Sequence, residues 1–199
     1  MSKEFYSVLK ERRSFYEISP RSNISDERIA EVIEQAVLHA PSAFNSQSAR
    51  VILLLGEQHK KLWDITKGIL LEIVAPANRQ QTEDKIASFS NGYGTVLYFD
   101  DQTVTQRLQQ QFPLYSGHFP VWAQQANGML QYMVWTSLQA EGFGASLQHY
   151  NPLIDNEVKV TWETPDGWSL IAQMPFGVPT NHPDEKDRQP INERLYLYR

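Results

Sequence analysis

The 199-residue chain is 41% apolar and 12% aromatic, with a formal net charge of −5, which suits one domain with its own core. The acidic balance excludes an ordinary nucleic-acid partner, because neutralising phosphates needs a basic surplus. With no cysteine, disulfides, thiolate nucleophiles, zinc knuckles and iron–sulfur clusters are excluded too.

Met1 to Tyr6 holds no apolar leader core, and the best apolar run, 68–77, is broken by Glu72 and Pro76 and is too short to span a bilayer. A cytoplasmic protein without a membrane partner is expected, as a single domain over 1–199 with an arm from about residue 177. The first element is a helix over 3–11, closing on Lys10-Glu11-Arg12-Arg13-Ser14. A second helix opens at 24–28 with Ser25 or Asp26 as its N-cap. Its apolar positions Ile29, Val32, Ile33, Ala36, Val37 and Ala40 keep helical spacing, and Pro41 ends it.

Then comes Ala40-Pro41-Ser42-Ala43-Phe44-Asn45-Ser46-Gln47-Ser48, a polar segment between a helix and a strand. Its short hydroxyls and two amides can present donors and acceptors to a planar, heteroatom-rich ligand, although such composition is also that of a plain connecting loop. Residues 50–55 read as a strand buried on both faces. Helices follow over 58–74, with Leu62, Ile65, Ile69, Leu70 and Ile73 on a stripe, and over 82–89. A second strand runs over 94–100, a helix over 104–111, and an aromatic loop over 112–115.

The longest helix covers 121–140. Trp122, Ala126, Met129, Leu130, Met133, Val134, Ser137 and Leu138 form one stripe, and Tyr132 and Trp135 make the opposite side apolar as well. A helix apolar nearly all round is buried, in a core or in a subunit interface, and Gly128 would let another backbone approach. A short helix near 157–161 and a third strand over 168–176 follow. The tail from Gly177 is rich in proline and charge and ends in Leu195-Tyr196-Leu197-Tyr198, an alternation suited to an extended arm exchanged with a partner chain.

Several chemistries lack their residues. Gly142-Phe143-Gly144 begins like a dinucleotide fingerprint but has no third glycine and follows a helix rather than a strand. Phosphate-loop and serine-elbow motifs are missing. The five histidines are scattered without metal-ligand spacing. What remains is hydrogen-bonding side chains rather than nucleophiles, the pattern of a protein whose cofactor does the chemistry.

Arg12, Arg13 and Ser14 offer two guanidinium forks and a hydroxyl that match phosphate oxygens, though paired arginines on a helix are commonly just solvated surface. Lys186 and Arg188 add two cations at alternate positions. Together with Pro41, Ser42, Ala43, Asn45 and Gln47, and with Gln148 and His149 after the long helix, these stretches resemble the FMN-dependent nitroreductase family across essentially the whole chain. The wording of the polar loop, of 92–96, of 111–115 and of 144–153 is most similar to the small fatty-acid-repression and copper-induced nitroreductase-like branch.

The resemblance implies an α+β nitroreductase-like fold: a central, mainly antiparallel sheet flanked by helices, in an intertwined homodimer. It implies non-covalent FMN at the subunit interface, with Arg12, Lys186 and Arg188 on the phosphate. Ser42, Asn45 and Gln47 of the second subunit would meet the ribityl chain or ring, and backbone groups of Gln148 and His149 the N5 edge. NAD(P)H would deliver hydride to flavin N5 and leave, after which a nitroaromatic or quinone acceptor would take two electrons (a ping-pong cycle). No side chain is needed as catalytic acid or base, and no metal. Phe44, Phe112, Tyr115 and Phe119 are expected to wall a flat acceptor, if they are not simply core aromatics.

Two departures from the family pattern stand out. No lysine sits between Ile86 and Tyr93 to compensate charge at the flavin's N1–C2 side, which leaves Arg13, or less suitably Lys85. The usual glutamate near N5 is replaced by Gln148. A flavin-binding regulatory or redox-sensing protein with little turnover is the alternative, and a flavin-free scaffold a second.

Overall fold

Why the three strands sit together follows from what each side of them carries. In the computed structural model, which describes residues 4–199, β1 is Ile18–Ser19, β2 Ala49–Leu55, β3 Gly94–Asp101, β4 Gly144–Ala145 and β5 Trp168–Pro179. All pairings between them are antiparallel, in the order β1-β5-β3-β2 with β4 also on β5. Central β3 is almost wholly buried because its alternate residues feed two cores. Val96 and Tyr98 join Ala172 and Met174 of β5 on one face, and Leu97 and Phe99 join Leu54 and Leu170 on the other.

Helices cover both faces. On the first lie α2 (Asp26–His39), through Ile29, Ile33 and Ala36, and α6 (Phe119–Ala140), through Leu130, Val134 and Leu138. On the second lie α3 (Gly56–Ile73), α4 (Arg79–Ser90) and α7 (Asp155–Trp162), through Leu62, Trp63, Ile86, Phe89 and Val158. α1 (Phe5–Glu11) packs on α6, as does α5 (Gln102–Gln111) with a smaller cluster of Val104, Leu108 and Phe119. This is the α+β arrangement expected from the sequence. Ser25 is the α2 N-cap, its side chain accepting the Arg28 N–H at 3.3 Å. Among the described residues no helix is long and apolar enough to cross a membrane.

Two expectations, on β2 and on the first helix, need correction. β2 is not buried on both faces: only Leu54 is fully buried, because β2 is the sheet's edge strand and part of one face borders an open cavity. Within the single chain α6 is buried along one stripe, and its other apolar side is the part that the subunit-interface expectation concerns. Met129 is 43% and Tyr132 45% exposed, and nothing lies within 4 Å of where a Cβ on Gly128 would be. The first helix starts at Phe5; residue 3 lies outside the described residues. In the tail, residues 177–179 still belong to β5; past them a single 3-10 turn, Ile191–Glu193, is the only regular element among the described residues, and Leu195, Tyr196, Leu197 and Tyr198 are all exposed.

Candidate functional site

The polar loop begins where Pro41 cannot extend α2. Ser42 Oγ accepts the Gln47 N–H at 3.0 Å, closing a tight coil. Phe44, Asn45 and Gln47 take φ of +56°, +51° and +49°, left-handed backbone that non-glycine residues adopt at a cost. The bends leave Phe44, Asn45 and Gln47 exposed, and no hydrogen bond of the Asn45 or Gln47 amides is found among the described residues. Pro41, Ser42, Gln47 and Arg50 line a cavity of about 540 Å³ with Val37 and Leu130.

Phe44 anchors an aromatic group. Its ring centroid lies 4.9 Å from Phe112, 5.3 Å from Phe119, 5.9 Å from Tyr115 and 6.0 Å from Trp122, nearly parallel to the last. The four expected aromatics are thus brought together, with two that sequence reasoning did not assign to the wall. Trp122 stacks on His118 at 5.4 Å. Trp122 was legible as an apolar helix position but not as a neighbour of the loop, since no spacing rule links residues 44 and 122.

Arg12, the C-cap of α1, lies over the Trp135 ring at 4.4 Å and near Tyr132 at 5.9 Å. Such contacts hold a guanidinium without using its donors. Arg13 turns the other way and donates from Nη2 to the Asp184 carbonyl, so the tail passes it two residues before Lys186 and four before Arg188. The Nε atoms of Arg12 and Arg13 are both buried without a partner. Ser14 bridges to Ala145 of β4, and the Phe15 N–H donates to the Ala145 carbonyl at 2.9 Å. Gly144 has Phe15 so close that a Cβ there would stand 2.7 Å from its Cγ, so this glycine serves packing.

Past β4 the chain runs beside β5. Gln148 and Gln173 exchange backbone hydrogen bonds of 2.7 and 2.9 Å, and the Tyr150 N–H is taken by Gln173 Oε1 at 2.8 Å. The Gln148 N–H is therefore committed within the chain, and its side chain is turned onto Ser146 Oγ at 3.0 Å. Between them the exposed His149 keeps a backbone N–H with no partner found. Lys85 stands apart from the arginines, in a cleft with Leu70, Val74 and Tyr150. Among the described residues no three His, Asp or Glu converge to hold a metal.

The loop and the arginines do not meet within one chain. Phe44 packs on Trp122 and Arg12 on Trp135, thirteen residues apart on α6, or about 20 Å along its axis. Beside the loop, Arg50 pairs with Asp101 at 2.8 Å. Partial burial pulls the Asp101 carboxyl up, but hydrogen bonds from Thr103 and the Arg50 charge outweigh it and leave it below the ordinary value.

The sequence profile described as the nitroreductase family matches residues 9–178. The Saccharomyces cerevisiae protein HBN1, provisionally named a nitroreductase, is 35% identical over 92% of this chain and 91% of its own length. The nitroreductase FRM2 of the same yeast is 30% identical over 98% and 96%. The nitroreductase CinD from Lactococcus lactis, solved with chloramphenicol, superposes with a TM-score of 0.89 at 37% identity, over 98% of this chain and 100% of that one. In its 4-nitrophenol complex the values are 0.85 and 40%, with the same coverage.

Proposed function

Because the chain belongs to the nitroreductase family, we propose that it is an FMN-dependent oxidoreductase working between NAD(P)H and a nitroaromatic or quinone-type acceptor. The observation that carries this reading is the pair of arginines at the end of α1, each with a buried Nε–H lacking an acceptor. A buried donor left unmade costs on the order of 1–3 kcal/mol; a phosphate monoester would satisfy that of Arg12, and the electron-rich N1–C2 edge of a reduced flavin that of Arg13. Lys186 and Arg188 follow the Arg13–Asp184 contact by two and four residues, and both are exposed, so on this reading they are available to the phosphate. The unpartnered amides of Asn45 and Gln47 and the His149 N–H suit the edge of a flavin ring. The residues present therefore fit FMN.

When bound, the flavin supplies reversible two-electron chemistry. The chain's own residues place it and shape what reaches it. Arg12, Lys186 and Arg188 hold the phosphate, and Arg13 provides the positive charge that a reduced ring favours near N1 and C2. Ser42, Asn45 and Gln47 orient the ribityl chain and ring, with Pro41 and Ala43 setting the loop's entry. Ser14 fixes the arginine segment against β4. Phe44, Phe112 and Tyr115 exclude water and stack a flat acceptor, with Phe119 a buried core aromatic behind them; the 4-nitrophenol complex of CinD is of that class.

The separation of about 20 Å along α6 supports a site completed by a second copy, whose loop meets this chain's arginines. The exposed Met129 and Tyr132, the open Gly128 and the tail give that copy an apolar surface to cover. One domain, a homodimer and an exchanged arm over about 177–199 complete the proposal. Steady-state oxidation of NADH or NADPH by FMN-loaded protein, with and without 4-nitrophenol or a quinone, tests the function. Acceptor-dependent turnover is expected. Negligible turnover by fully loaded protein contradicts it and favours the regulatory reading.

A further inference from the structure

Arg50, the second residue of β2, follows the loop and makes three hydrogen bonds with one guanidinium. Nη1 donates to the carbonyls of Gln47 at 2.6 Å and Ala49 at 3.1 Å, and Nη2 to Asp101 Oδ2 at 2.8 Å. Asp101 is engaged elsewhere as well. Its Oδ1 accepts the Thr103 N–H at 3.1 Å and hydroxyl at 2.6 Å, capping α5, and its own N–H donates to the Ser48 carbonyl at 2.9 Å. The backbone on both sides of Ser48 is therefore tied to one carboxylate.

That tie acts on a loop that needs it. Three residues between 44 and 47 hold left-handed φ, each costing roughly 1 kcal/mol or more in a non-glycine residue. Inside the loop, the Ser42–Gln47 bond and the 3-10 turn offset part of this. Packing of the Phe44 ring offsets more, and at the loop's end the Gln47 carbonyl is held by the Arg50 side chain. A planar fork of fixed geometry can serve two carbonyls and a carboxylate together, whereas an ammonium cannot match that pattern. Through Asp101 the same fork reaches α5, after which the chain carries Phe112 and Tyr115 back onto Phe44.

We propose that Arg50 is the positioning residue of the flavin-binding loop. With Asp101 it holds Phe44, Asn45 and Gln47 in the left-handed backbone that presents them to the cofactor, and it links that loop to the aromatic acceptor wall. This rests on the flavin reading above.

The test uses full-length protein, stripped of flavin and then titrated with FMN, as wild type, Arg50→Met and Arg50→Lys. In the flavin-free state, hydrogen exchange over 42–48 should speed up in Arg50→Met while β3 and β5 stay protected. The FMN dissociation constant should rise on the order of tenfold, the loss of one charge-assisted bond to the loop, with the melting temperature little changed. Arg50→Lys should recover only part of the affinity. Unchanged loop exchange and FMN affinity in Arg50→Met would overturn the proposal. So would weakening that tracks a general loss of protection across the sheet, since that is a merely structural role. If Arg50→Met does not fold, full recovery of affinity by Arg50→Lys would also contradict it. A wild type that takes up no FMN instead overturns the flavin reading, and the exchange data still judge the clamp.

Discussion

His59 illustrates how tightly a single side chain can be specified. It is buried on α3, with Nδ1 2.8 Å from Thr95 Oγ1 and Nε2 3.1 Å from the Ser90 carbonyl, while Trp63 donates its indole N–H to the same Thr95 oxygen at 2.9 Å. A carbonyl only accepts, so Nε2 carries the proton, and Thr95 donates its hydroxyl hydrogen to Nδ1. The network closes around neutral imidazole. Burial chiefly, with the nearby Lys60 charge adding, pushes the His59 pKa down to about 4 although the Ser90 bond favours the cation. The unfolded chain takes up a proton near 6.5, the folded chain only near 4, so the neutral-form stability is complete above about 6.5 and is lost as pH falls towards 4. The loss amounts to at most about 3 kcal/mol. Melting temperature should drop between pH 7 and 4.5 in wild type, and by less in His59→Gln; equal drops would contradict the assignment. None of this was legible beforehand, because the partners lie more than thirty residues away on β3 and at the end of α4.

At the scale of elements, legibility tracked whether burial has a period. α2 was readable to its cap because its apolar positions and Ser25 are local signals. Ser25→Ala should cost about 1 kcal/mol and lower the melting temperature by about 2–4 °C without changing flavin uptake; thermal melts of both proteins check this. β1 and β4 were not readable, since two-residue strands exist only through pairing with β5. The sequence of α6 is apolar nearly all round, which suits a core or a subunit interface, and packing within the chain uses one stripe. Met129 and Tyr132 are the part that the chain alone leaves unexplained. The candidate site was legible in parts: the arginine segment and polar loop stood out by residue type. The left-handed bends of Phe44, Asn45 and Gln47, the Arg50–Asp101 tie and the capture of the Gln148 N–H by Gln173 all depend on tertiary geometry.

For the whole molecule, two sets of groups stand apart along α6. Arg12 at the end of α1 lies over Trp135, and the loop's Phe44 meets the aromatics around Trp122. On the proposed reading, a second copy in opposite orientation would bring each set to the other. On this account the molecule carries its colour with it. The direct measurement is the visible absorption spectrum of freshly purified protein, before and after FMN addition and removal of excess, then under anaerobic NADH or NADPH. The account predicts a yellow protein that one of the nucleotides bleaches. A protein that stays colourless after exposure to FMN would contradict it.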